Sequence, residues 1–286
     1  MSAAASGSRT ASVRDYLYEE PGPKTRKRVA IGTAISAVVV AALLGLVVYQ
    51  FWATGQLDPK YWEFFTWGTT WAFLLQGFEG TISVSLTAGA IAIVLGLLLM
   101  FGRLSGFKPL SALCRVVTDF FRGVPSLLLI YFFFLVVPQY GIKMPSFWML
   151  TLPVGLAASG VLAEVFRAGV NAVPRGQTEA ALALGMRPWR VMVKIVLPQA
   201  IRYVIPSLIS QLVVVVKDTT VAYVVSYPDM LQNARVLITN YNALVSTYFV
   251  VAIIYILLNF AINQLSVYVA RRTGAQVVDR LAQNPA

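Results

Sequence analysis

The sequence predicts an all-α membrane protein, a polytopic bundle of about six transmembrane helices. Three observations carry this. First, 58% of the 286 residues are hydrophobic and 12% charged, with a mean hydropathy of +0.71, more apolar than a water-facing domain tolerates. Second, the apolar residues gather into runs, several close to or above the roughly 20 residues that cross a bilayer core. Third, Lys and Arg collect on alternate connections between those runs, as they do on cytoplasmic loops.

Residues 1–28 are rich in small and polar types and end in the cluster Lys24, Arg26, Lys27 and Arg28; they read as a disordered, basic cytoplasmic tail. Residues 29–52 form the first span. The run is too long for the core of a signal peptide, and no clear small-residue cleavage site follows it, so it reads as retained. Residues 53–76 are external. Trp62, Trp67 and Trp71 stand there among Tyr61, Phe64 and Phe65, a density that suits the membrane interface better than the alternative of a ligand-stacking platform.

Residues 77–101 are the second span, returning to the inside at Arg103 and Lys108; its Ser83, Ser85 and Thr87 suit helix packing. Residues 111–137 are the third span, interrupted near its start by Arg122-Gly123-Val124-Pro125. Such residues kink or unwind a helix where protein or a water cavity re-satisfies the backbone. An external turn over 138–145 leads to the fourth span, 146–166. The cytoplasmic segment 167–202 carries Arg167, Arg175, Arg187, Arg190, Lys194 and Arg202.

A short fifth span, 201–216, runs into Lys217, Asp218, Thr219 and Thr220 before 221–225. Residues 227–242 read as an external loop or a re-entrant segment. The sixth span, 245–269, is anchored by Arg271 and Arg272, and 271–286 read as a disordered cytoplasmic tail. In this topology only Lys60, Lys143 and Arg235 are external and Lys217 is intramembrane. The other basic residues lie at the cytoplasmic side, which sets both termini there.

Composition also excludes functions. A formal charge of +11 is explained by those loops and does not call for nucleic acid. One cysteine, Cys114, and no histidine argue against an ordinary zinc or haem site. No GxxxxGK[ST] loop is present, so any ATP that drives the protein is hydrolysed by another chain. No HExxH or GxSxG setting supports an intramembrane enzyme.

The most informative stretch is Glu179–Pro198, EAALALGMRPWRVMVKIVLP. Its alanines, leucines and glutamate predict a short helix over 177–184, stopped at Gly185 and kept from continuing by Pro188. Leu182, Met186 and Trp189 recur at helical spacing as an apolar stripe. Such a helix either fits a groove on another protein or packs on its own bundle.

Glu-Ala-Ala, three residues, Gly, nine residues and Ile-x-Leu-Pro together resemble the EAA loop of bacterial ABC importer permeases. The resemblance covers about 77–270, with the loop at 174–202, and implies the type I ABC importer permease fold. Its other motifs are Arg122-Gly123-Val124-Pro125, the set Glu164, Arg167 and Gly169, and the lead Pro174, Gly176 and Gln177. They continue with Leu197-Pro198-Gln199-Ala200, Arg202 and Pro206, then Lys217-Asp218-Thr219. Val124 in place of Thr, and Thr220-Val221 in place of Ser-Leu, depart from the pattern.

What the resemblance implies is specific. Glu179, Ala180, Ala181, Gly185, Met186 and Pro198 belong to a coupling helix and loop that dock in a cleft of a cytoplasmic ATPase subunit. The other implied partners are a second permease subunit, like or unlike this one, an extracytoplasmic amino-acid-binding protein, and membrane lipid. The chain holds no cofactor, since ATP binds the ATPase, and it lies in the bacterial cytoplasmic membrane. The subfamily is that of polar amino-acid uptake, and the tails and external aromatics are similar to those of glutamate permease subunits.

For the substrate pathway, intramembrane charges are the default candidates: Arg122, Lys217 and Asp218, with Thr219 beside them. Each has an alternative. Lys217 and Asp218 form a structural ion pair as readily as a substrate contact, and Arg122 also suits a cytoplasmic-end anchor. Glu179 either sets the coupling helix or is a solvated surface charge. Glu164 and Arg167 stand at i,i+3 spacing for a pair. The rival function is an ion-coupled carrier with broken helices around a midplane site. It accommodates the Gly/Pro breaks but leaves the EAA spacing unexplained.

Overall fold

A computed structural model describes residues 22–273. Of the expected tails, residues 1–21 and 274–286 lie outside the described residues, whereas residues 23–28 and 271–273 are not tail but the helical ends of the first and last long helices, Pro23–Ala53 and Leu244–Thr273. The chain divides into two units, Met1–Asp58 and Pro59–Ala286. The first contains helix α1 (Pro23–Ala53), apolar on every face, as a lipid-facing helix is. Its end is capped by Thr54, whose hydroxyl donates to the Gln50 carbonyl at 2.8 Å.

The second unit holds α2 (Gly68–Arg103), α3 (Lys108–Gly123), α4 (Ser126–Tyr140), α5 (Ser146–Ala172), α6 (Arg175–Ala183), α7 (Pro188–Val225), α8 (Met230–Tyr241) and α9 (Leu244–Thr273). Among the described residues five helices, α1, α2, α5, α7 and α9, are long and apolar enough to cross a membrane. The bent pair α3 and α4 makes a sixth if counted as one span. Helix α2 begins at Gly68 rather than at Gly77.

Helix α5 is central. Its Leu150, Val154, Ala158 and Leu162 join Val84, Ala88 and Ala92 of α2 and Val204 and Val215 of α7 in the main buried cluster. Small residues let these helices approach, which matters where lipid offers no hydrophobic drive for association. Gly160 shows how closely: a Cβ there would lie 2.9 Å from the Thr118 carbonyl oxygen and 3.1 Å from the Arg122 nitrogen of α3.

The continuous third span expected over 111–137 is replaced by two helices meeting at 98°. Pro125 forces the residue before it out of helical geometry, and Val124 is extended, with φ −86° and ψ 124°. Helix α3 is amphipathic, with Leu113, Val116 and Phe120 exposed on one side and Thr118 buried.

The short fifth span is the middle of a longer helix. Pro198 has no N–H to give the Lys194 carbonyl, and the chain answers with a π-helical turn over Met192–Val196. The helix continues to Asp218, tightens to 3-10 geometry over Thr219–Val225, and ends at Ser226 with φ 51°.

The segment read as an external loop or re-entrant stretch contains α8. Asp229 caps it, its carboxylate accepting the Gln232 N–H at 2.7 Å. Met230, Asn233, Ala234 and Leu237 form its buried stripe, at the i, i+3, i+4, i+7 spacing of one helix face. Thr81 of α2 accepts the Met230 N–H at 3.1 Å, and Asn233 donates to the Phe73 carbonyl at 2.7 Å. From the aromatic stretch, Phe64 stacks on Tyr241 with centroids 4.6 Å apart, so that ring supports α8.

Candidate functional site

The EAA segment folds as a short helix on a turn. Helix α6 spans Arg175–Ala183, with Pro174 at its N-cap. Its C-terminus closes with two bonds: Gly185 N–H to the Leu182 carbonyl at 2.9 Å, and Met186 N–H to the Ala181 carbonyl at 3.2 Å. This is the Schellman arrangement, which needs a left-handed residue and favours glycine. Gly185 has φ +76°.

The apolar contact that accompanies such a cap is present, since Ala181 and Met186 join Val191, Val196 and Ala200 in one cluster. The stripe expected from Leu182, Met186 and Trp189 is therefore split. Met186 turns inward, while Leu182 stays exposed and Trp189 lies against Phe101 of α2 with centroids 5.7 Å apart. The outer face of α6 and its turn carries Glu179, Ala180 and Leu184, the last 84% exposed. Between α6 and the start of α7 lies a cavity of about 570 Å³ bordered by Val173, Thr178, Leu182, Val191 and Met192. Pro198 is in α7, away from the turn, and it shapes the π turn instead.

The intramembrane candidates scatter. Lys217 and Asp218 do not pair with each other: sequence neighbours on a helix point about 100° apart. Lys217 is exposed, and Asp218 is half-buried. Thr219 is fully buried and donates to the Val216 carbonyl at 2.8 Å. Arg122 turns to carboxylates of its own chain, Asp119 at 3.7 Å and Glu164 at 3.5 Å. Glu164 also binds Arg103 and, at 2.8 Å, Arg167. One carboxylate thus ties α2, α3 and α5 together. No group of three potential metal ligands occurs among the described residues.

Residues 92–275 match the family of inner-membrane components of binding-protein-dependent transport systems. The chain belongs to this family. It is 35% identical over 229 residues to the glutamate transport system permease protein GluD of Corynebacterium glutamicum, covering 77% of this chain and 82% of the relative. It is 30% identical over 210 residues to the glutamate/aspartate import permease protein GltK of Escherichia coli, covering 71% and 94%.

Among solved structures, an amino acid ABC transporter chain superposes with a TM-score of 0.69 at 25% identity, covering 73% of this chain and 98% of that one. The MetNI methionine ABC transporter, at 16% identity and a TM-score of 0.64, shares the fold. The chain is thus a multi-pass ABC importer permease, a transport subunit rather than an enzyme.

In this permease two features escaped the sequence reading. Arg103 completes the Glu164 cluster, yet the two residues are 61 positions apart, and no local pattern announces their meeting. The polar face of α8 was legible in principle, because Gln232, Arg235, Thr239 and Asn240 recur at i, i+3, i+7 and i+8.

Proposed function

We propose that this permease forms the translocation pathway of an ATP-driven importer for a polar amino acid, glutamate foremost, and that α6 is its coupling helix. The basic segments and both termini face the cytoplasm, a second permease subunit completes the pathway, and an extracytoplasmic binding protein delivers the substrate. The observation that carries the coupling role is the division of labour in α6. Ala181 and Met186 hold the element to the body, while Glu179, Ala180 and Leu184 remain uncovered beyond it. An apolar, once-charged knob of this size suits a cleft on an ATPase, and the likeness to glutamate permeases supports the substrate.

Purification of the tagged permease in mild detergent should recover a phosphate-loop ATPase. Glu179→Lys should abolish recovery while leaving the permease folded. Proteoliposomes holding the complex and its binding protein should take up L-glutamate only with internal ATP. ATP-independent uptake, or an ATPase retained on Glu179→Lys, would overturn the reading.

A further inference from the structure

The polar face of α8 and the 3-10 segment Thr219–Val225 border a cavity of about 420 Å³ lined by Tyr223, Gln232, Arg235, Thr239 and Asn240. Its chief feature is Arg235, whose guanidinium lies over the Tyr223 ring at 3.8 Å from the centroid. Stacking of this kind fixes the plane of the fork and leaves its edge free to bind a planar anion. Arg235 makes no ion pair with any described residue, in contrast to Arg103, Arg122 and Arg167. No hydrogen bond ties the Gln232 or Asn240 amide or the Tyr223 hydroxyl to another described residue. These groups therefore stand as open donors around one cation.

The crevice is also one-signed. It contains a cation and no carboxylate; the neighbouring acid, Asp229, is fully buried at the helix cap and accepts the Gln232 N–H. A ligand of net negative charge is favoured over a neutral or basic one, because the one charge in the lining is positive, while the amide and hydroxyl oxygens of Gln232, Asn240 and Thr239 are able to accept from an α-ammonium.

We propose that the crevice between α8 and the 3-10 segment is a carboxylate-binding station for an acidic amino acid, with Arg235 clamped on Tyr223 as its anion receptor. This rests on the importer reading above and deepens it, because it lodges part of the selectivity for anionic substrates in the permease itself. A carboxylate on a docked binding protein offers the same chemistry, and the test separates the two sources.

The permease–ATPase complex in nanodiscs, without binding protein, should bind radiolabelled L-glutamate saturably, with L-aspartate competing better than L-glutamine or L-arginine. Arg235→Gln should weaken this binding about tenfold, and Arg235→Lys should restore part of it. The melting temperature of each variant shows whether the fold is kept. A complex that imports L-glutamate with its binding protein, yet binds it equally well as wild type and as Arg235→Gln, overturns the station alone. If Arg235→Gln weakens docking of the binding protein, and wild type without that protein binds no glutamate, the carboxylate is the partner's and the proposal fails. A wild-type complex that imports no acidic amino acid overturns the substrate reading and the station together.

Discussion

Asp229 lies where a carboxylate is both useful and costly. Its side chain caps α8, a task for which Asp and Asn are about equally suited, but the residue is fully buried. Burial is the largest influence and pushes its carboxyl up from 3.8 to about 6, against the hydrogen bonds from Gln232 and Leu231 and the charge of Arg235. Because the folded state raises this pKa, the native protein binds the proton more tightly than the unfolded chain. The contribution to stability is complete below about pH 4 and is lost as pH rises through 6.

Asp229→Asn keeps the cap and removes the ionisation. At pH 8 this variant should melt above the wild type, and the gap should close toward pH 5. Asp229→Ala loses the cap and should cost about 1 kcal/mol at pH 5, and less at pH 8, where it also removes the buried charge. Melting curves in detergent at the two pH values decide it, and an asparagine variant less stable at pH 8 would refute the role of burial.

At the scale of single elements, α6 was the most legible part of the chain. A helix expected over 177–184 appears at Arg175–Ala183, and the expected stop at Gly185 is a left-handed residue with φ +76°. Local chemistry decides such a cap, so a single sequence suffices to see it. The apolar stripe failed because it assumed one helix through a turn that sends Met186 inward.

Helix α8 was lost for the opposite reason. Its buried face contains Asn233, whose partner is the Phe73 carbonyl 160 residues away, and a polar residue read alone suggests a loop. The cap makes a prediction. Nothing lies within 4 Å of a Cβ built on Gly185, so the demand for glycine within this chain is conformational. Gly185→Ala should cost about 1–2 kcal/mol at that residue and lower the amount of ATPase that copurifies. Gly185→Asn should largely recover it, since Asn tolerates this conformation. Equal damage from Asn and Ala would instead mean that the partner's surface approaches the turn too closely for any side chain.

At the scale of the molecule, hydropathy predicted about how many spans there are, while side-chain pairing decided how they meet. Arg122 illustrates the limit: beside a Gly-Pro break it read as a substrate contact or an anchor, and the fold turns it to Asp119 and Glu164. The bend itself was marked by Gly123 and Pro125, but neither its 98° angle nor the close approach of α3 to Gly160 of α5 is written in local sequence.

Glu164 is then the shared counter-charge of three helices, with its side chain 19% exposed and that of Arg103 12% exposed. Glu164→Gln would leave the largely buried Arg103 without an anion and set three like charges against one another. The loss should be about 2–3 kcal/mol, below the value for a fully dry pair because Arg122 and Arg167 reach solvent. Arg103→Gln should cost somewhat less, and Arg122→Gln, whose side chain is 46% exposed, under about 1 kcal/mol. The ranking is what matters. Thermal melts of the three variants should fall in that order, whereas a greater loss from Arg122→Gln than from Glu164→Gln would mean that α3 is held by something other than this carboxylate.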